Sequence, residues 1–102
     1  MKFGLKDETI QKICDVFTRY SQVEKAILYG SRAKGNFHNG SDIDLTLCGG
    51  PDLTFEVLQK MVIELDDLPI PYTIDLSIRH EINNPDLVDH IRRVGVPFYN
   101  KP

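Results

Sequence analysis

Apolar residues recur along this chain with two different periods. From Asp7 to Tyr20, the residues Ile10, Ile13, Cys14 and Phe17 fall at i, i+3, i+4 and i+7. That spacing predicts a helix with one apolar face. Asp7 can cap it, and Glu8 suits the positive N-terminal end of its dipole. Ala26-Ile27-Leu28-Tyr29 is a short apolar run ended by Gly30, the pattern of a buried strand. From Asp42 to Cys48 the chain alternates: Ile43, Leu45 and Leu47 point one way, and Asp42, Asp44 and Thr46 the other. Gly49-Gly50-Pro51 breaks that strand.

A second helical stripe follows, carried by Leu58, Met61, Val62 and Leu65. Leu68 to Pro71 holds two prolines and reads as a loop. Tyr72 to Ile78 alternates again, with Ile74, Leu76 and Ile78 opposite Thr73, Asp75 and Ser77. The last helix is well punctuated: Asn84 as N-cap, Pro85 at the first position, a stripe of Leu87, Val88, Ile91 and Val94, and Gly95 as its stop. Val96 to Tyr99 can add an edge strand. The order predicts an α/β (α+β) domain with a small sheet. Helices pack on its apolar face, and the polar face stays open to water or a ligand.

Composition narrows the class. A chain of 102 residues is one domain, 1–102, with a modest core. A net charge of −3 argues against stable nucleic-acid binding, which needs a basic surface. Cys14 and Cys48 show no metal-ligand spacing, so a disulfide framework is not expected and a reducing compartment, the cytoplasm, is. The charged Met1–Ile10 segment is unlike a signal peptide, and no stretch is long enough to span a bilayer. His38, His80 and His90 form no metal-site pattern and read as surface residues, with His90 facing solvent or a partner; Tyr29 reads as core.

The candidate chemistry lies in "LYGSRAKGNFHNGSDIDL", residues 28–45. Asp42 and Asp44, two apart on a strand, place carboxylates roughly 6.5–7 Å apart on one side. A divalent cation resolves their repulsion, and oxygen donors suit Mg²⁺. If the strand of Asp75 lies beside theirs, three acids share the polar face and could hold two metals. At the other end of the loop, Gly30 permits close backbone approach and Ser31 offers a hydroxyl. If Ser31 begins a short helix, the amides there attract phosphate. Arg32 and Lys34 add positive charge nearby, and Ser41 can cap or orient the aspartate strand or contact the nucleotide. Phosphate donors at one end and metal-binding acids at the other describe a site for a metal–nucleotide complex. The chemistry this implies is transfer of a phosphorus-containing group to a hydroxyl, with Asp75 taking the acceptor's proton or helping a metal lower its pKa.

Gly30-Ser31, ten residues, then Asp42-Ile43-Asp44 resembles the motif of the DNA polymerase β-like nucleotidyltransferase superfamily. "LYGSRAKG", "GSDIDL", the later acid in "YTIDLS" and the closing "HIRRVGVPFY" are similar to its smallest members, the minimal nucleotidyltransferase (MNT) proteins. The resemblance implies a mixed sheet and Mg²⁺-dependent transfer of a nucleoside monophosphate, AMP from ATP. It assigns Gly30 and Ser31 to the triphosphate, and Asp42, Asp44 and Asp75 to metal and catalysis. It also implies a partner, a HEPN-domain toxin, often encoded by the adjacent gene, that the MNT protein counters as antitoxin, commonly by adenylylating a tyrosine. The chain departs at Lys34, where many relatives have a second arginine; lysine keeps the charge and loses the bidentate fork. Two alternatives stand beside this reading. One is a binding module that neutralises its partner stoichiometrically. The other is a small-molecule (antibiotic-type) nucleotidyltransferase, for which a homo-oligomer would have to build the missing acceptor wall.

Overall fold

A computed structural model describes residues 1–102. Helix α1 (Asp7–Thr18) leads into strand β1 (Lys25–Tyr29) and a five-residue helix α2 (Gly30–Lys34). Strand β2 (Ile43–Cys48), helix α3 (Phe55–Asp66), strand β3 (Ile74–Ile78), helix α4 (Pro85–Val94) and strand β4 (Val96–Asn100) follow, with a 3₁₀ turn at Arg79–Glu81. The sheet order is β3-β2-β1-β4. β1 is antiparallel to both β2 and β4, whereas β2 and β3 are parallel. The sheet is therefore mixed, and β4 takes the edge.

Each helix starts where local chemistry allows it. Thr54 Oγ1 accepts the Val57 amide at the head of α3, and Asn84 Oδ1 accepts the Asp86 and Leu87 amides at the head of α4. α1 differs from expectation in two details. It stops at Thr18, and Lys6 occupies its cap position without a side-chain bond, so Asp7 acts only as a charge in the first turn. Gly95 ends α4 with an ordinary negative φ. A side chain there would overlap the Ile91 carbonyl and come within 2.7 Å of Ile27 Cγ2, so close packing on β1 is what requires glycine.

The alternation read from β2 and β3 is present. Ile43, Leu45 and Leu47 are fully buried, together with Ala26 and Leu28 of β1. Ile13, Val16 and Phe17 of α1 and Met61 and Leu65 of α3 close over them in one core. Each such side chain contributes about 1.5–3 kcal/mol relative to exposure. Cys14 sits at the margin of this core, where burial, then the Asp15 charge, pushes its thiol up to about 11; it is an inert packing residue.

α4 is the one helix placed otherwise than expected. α1 and α3 cover the apolar face, but α4 packs beside α2 and over the opposite face of β1. The polar face is thus roofed along β1, buried at Thr46 of β2 as well, and most open at Asp75 on β3. No helix is long and apolar enough to cross a membrane.

Candidate active site

The fold brings the two ends of the Gly/Asn-rich loop into contact. β1 and β2 run antiparallel with Tyr29 opposite Asp44, so Gly30 begins α2 directly beside that aspartate. Gly30 has φ +75°, a conformation that side chains resist. A Cβ on it would overlap Asp44 Oδ2 and lie 3.2 Å from Asp44 Cγ. Glycine thus suits this point twice: its φ disfavours a side chain, and a side chain would displace the Asp44 carboxylate. Ser31, half-buried, occupies the first turn of α2 beside it.

The parallel pairing of β2 with β3 sets Asp75 opposite Asp44. Tyr29, Asp44 and Asp75 thus form one row across three strands, with Asp42 exposed just ahead of β2. Asp44 feels all of its neighbours. Burial raises its pKa most, the Asp75 and Asp42 charges raise it further, and His90 opposes them. In the next row, Ser77 Oγ donates to Thr46 Oγ1 at 2.9 Å, closing the floor of the site. The mutual repulsion of the acids and their all-oxygen donor set fit a hard divalent cation. However, no group of three His, Cys, Asp or Glu side chains converges tightly enough to hold an ion unaided. Water or the oxygens of a bound ligand would fill the remaining positions. Nor does any cavity enclose the acids; Asp42 and Asp75 lie exposed on an open surface.

Arg32 corrects the sequence reading. It is not a loop charge reaching toward phosphate but is 2% exposed. Its Nε and Nη2 donate to the Ser41 carbonyl at 3.2 and 2.9 Å, and its Nη1 to the Phe3 carbonyl at 2.8 Å. The guanidinium lies 5.3 Å from the Phe37 ring centroid and 4.9 Å from that of Tyr72. Arg32 therefore ties α2, the end of the loop and the N-terminal turn together, the last including Phe3 at φ +58°. Ser41 belongs to the same lock. It is buried, and its hydroxyl accepts the His38 amide at 3.0 Å just ahead of the aspartate strand. Lys34 is exposed at the end of α2. Arg32→Lys is expected to lower unfolding stability by about 2 kcal/mol, because one ammonium cannot span both carbonyls. Urea denaturation measures this, and an unchanged midpoint would contradict the role.

His90 does more than the sequence reading gave it: it is half-buried, and its Nε2 accepts the Gly30 amide at 3.2 Å. The proton of the neutral ring is then on Nδ1. Tyr29 is buried, as expected, at 8% exposed; its ring packs edge-on to His90 at 6.1 Å in the row that carries Asp44. Burial raises its phenol pKa most, and the Asp75 and Asp44 charges add to this against an opposing interaction with Ser77. A signal for His90 existed. It lies three residues after Leu87 and four before Val94, at the margin of the helix's apolar stripe.

The comparisons with known proteins agree with this architecture. Residues 11–102 match the family model "Polymerase beta, Nucleotidyltransferase". A toxin–antitoxin crystal structure with AMP-PNP is similar in fold, with TM-score 0.62 and 21% identity over 90% of this chain and 73% of that one. A tyrosine-to-alanine mutant of the toxin–antitoxin MntA-HpeT gives TM-score 0.67 and 19% identity over 91% and 71%. A protein from Sulfolobus solfataricus described as a nucleotidyltransferase gives 0.56 and 17% over 90% and 77%. No curated protein matches the sequence. With its family model spanning α1 to β4 and its Gly-Ser turn seated against an aspartate row, the chain belongs to the polymerase β nucleotidyltransferase family.

Proposed function

We propose that this protein transfers AMP from ATP to a hydroxyl of a protein partner, and that it thereby acts as the antitoxin of a HEPN-type toxin. The observation that carries the reading is the contact between Gly30 and Asp44. It joins a turn suited to phosphate to a row of acids suited to a cation. The likeness to toxin–antitoxin structures, one of them with AMP-PNP, supports the choice of nucleotide and partner.

In this reading Gly30 and Ser31 hold the triphosphate tail. Asp42, Asp44 and Asp75 would hold Mg²⁺, which when bound neutralises charge developing at phosphorus. The acceptor oxygen attacks the α-phosphorus; a P–O bond forms, the bond to pyrophosphate breaks, and pyrophosphate leaves. Asp75, exposed on β3, takes the acceptor's proton. Tyr29 and His90 wall the site on the β1 side and exclude water there. The open side over β3 is where the acceptor enters, and the partner supplies the missing wall.

The test is incubation with α-labelled ATP, Mg²⁺ and the purified product of the adjacent gene. Label is expected on the partner with the wild type, and none with Asp44→Asn or with EDTA. Equal absence of label from wild type and Asp44→Asn would overturn the enzymatic reading. Neutralisation that survives the double change Asp42→Asn/Asp44→Asn would establish a binding module instead.

A further inference from the structure

Two of the three exposed large apolar side chains lie on one helix. Phe55 is 59% exposed and Ile63 is 63% exposed, both on α3; the third is the terminal Met1. With Leu58, Gln59 and Val62 they line a shallow groove of about 410 Å³. Val57, Leu58, Met61 and Leu65 make the core contact of α3, Leu58 at the groove's inner edge, while Phe55 and Ile63 take no part in it. Its apolar arc is thus wider than the core needs, and the excess faces outward. Arg19, at the end of α1, is paired with Glu64 of α3; the other exposed charges on and bordering the helix are Asp52, Glu56, Lys60, Asp66 and Asp67, four acids against one base.

From this surface we infer that α3 is a docking site for a helix of another protein, one with an apolar stripe rimmed by lysine or arginine. The acid rim selects the occupant. A second copy of this chain would set acids against acids, whereas a basic-rimmed helix is complementary. The position of α3 adds a second argument. It packs on the apolar face of the sheet next to β3, the open edge strand that carries Asp75. A partner held on α3 reaches Asp75 by passing around that edge, without crossing the α4 roof. Docking and chemistry therefore occupy opposite faces of one sheet and are separable.

This inference rests on the proposed function only for the partner's identity. The probe is the purified product of the adjacent gene, titrated onto the full-length chain by calorimetry. Ile63→Lys is expected to weaken binding about 100-fold while its thermal melt stays at the wild-type value, as an exposed position allows. Asp44→Asn is expected to bind like the wild type. Charge reversal of the rim, Glu56→Lys with Asp66→Lys, is expected to slow association and flatten its salt dependence. Unchanged affinity of Ile63→Lys, no binding by the wild type, or a sedimenting homodimer that Ile63→Lys dissociates would each overturn the docking site. Label transfer together with unchanged Ile63→Lys affinity would sink this inference alone. Loss of binding in Ile63→Lys without label on the partner would sink the enzymatic reading alone.

Discussion

Gly30→Ala is expected to cut nucleotidyl transfer at least ~100-fold. The new methyl cannot share space with Asp44 Oδ2, so either the carboxylate or the head of α2 must shift. A displacement of about 1 Å at a reacting centre is enough for a loss of that size. The backbone strain of a side chain at φ +75° adds about 1–2 kcal/mol of lost stability. Gly35→Ala separates the two effects. Gly35 has φ +88°, but a Cβ there meets nothing within 4 Å. That variant is expected to lose comparable stability and keep its activity. Steady-state kinetics beside chemical denaturation for both variants checks the pair. Equal activity losses would mean that the Asp44 contact is irrelevant to transfer.

Asp44→Asn is expected to reduce transfer about 10³-fold, by several kcal/mol of lost charge stabilisation. It is also expected to make the apo protein more stable at neutral pH. The sign follows from the raised pKa of Asp44, due first to burial and then to Asp75 and Asp42. Between the ordinary value of 3.8 and the raised one, the folded chain binds more protons than the unfolded chain. Stability therefore falls as pH rises through that window and stays lowered above it. Asparagine carries no such charge. The variant should melt above the wild type at pH 7, and the gap should close as pH falls below the window. A lower melting temperature for Asp44→Asn at pH 7 would contradict this sign. Activity held at a cost in stability is the expected signature of a functional carboxylate cluster.

What the sequence made legible was the part of the site whose geometry is local. Two-residue alternation placed Asp42 and Asp44 on the polar side of β2 and Asp75 on that of β3, and Gly30-Ser31 lies one turn from its strand. What it hid depended on residues far apart in the chain. Arg32 stands among Lys34, Gly35 and Asn36, which are exposed, yet Phe3, Phe37 and Tyr72 close around it. Tyr29 sits in an unbroken apolar run, so period alone could not tell which of its neighbours faced the core. β1 reads that way because α4 covers its second face. A helix on the far side of a sheet leaves no mark in the strand except the loss of alternation.

The bond from Gly30 to His90 joins residues 60 positions apart, and this sets a timetable for synthesis. A chain emerging from the ribosome through β3 already carries Asp42, Asp44 and Asp75, and β1 can pair with β2. It lacks α4, which holds the Gly30 amide, and β4, which flanks β1 on its other side. Contacts of such long sequence separation form late. The nascent protein thus gathers its negative charges before it gains the helix that steadies the Gly30 turn, and the acid row stands without its β1-side wall until α4 has docked.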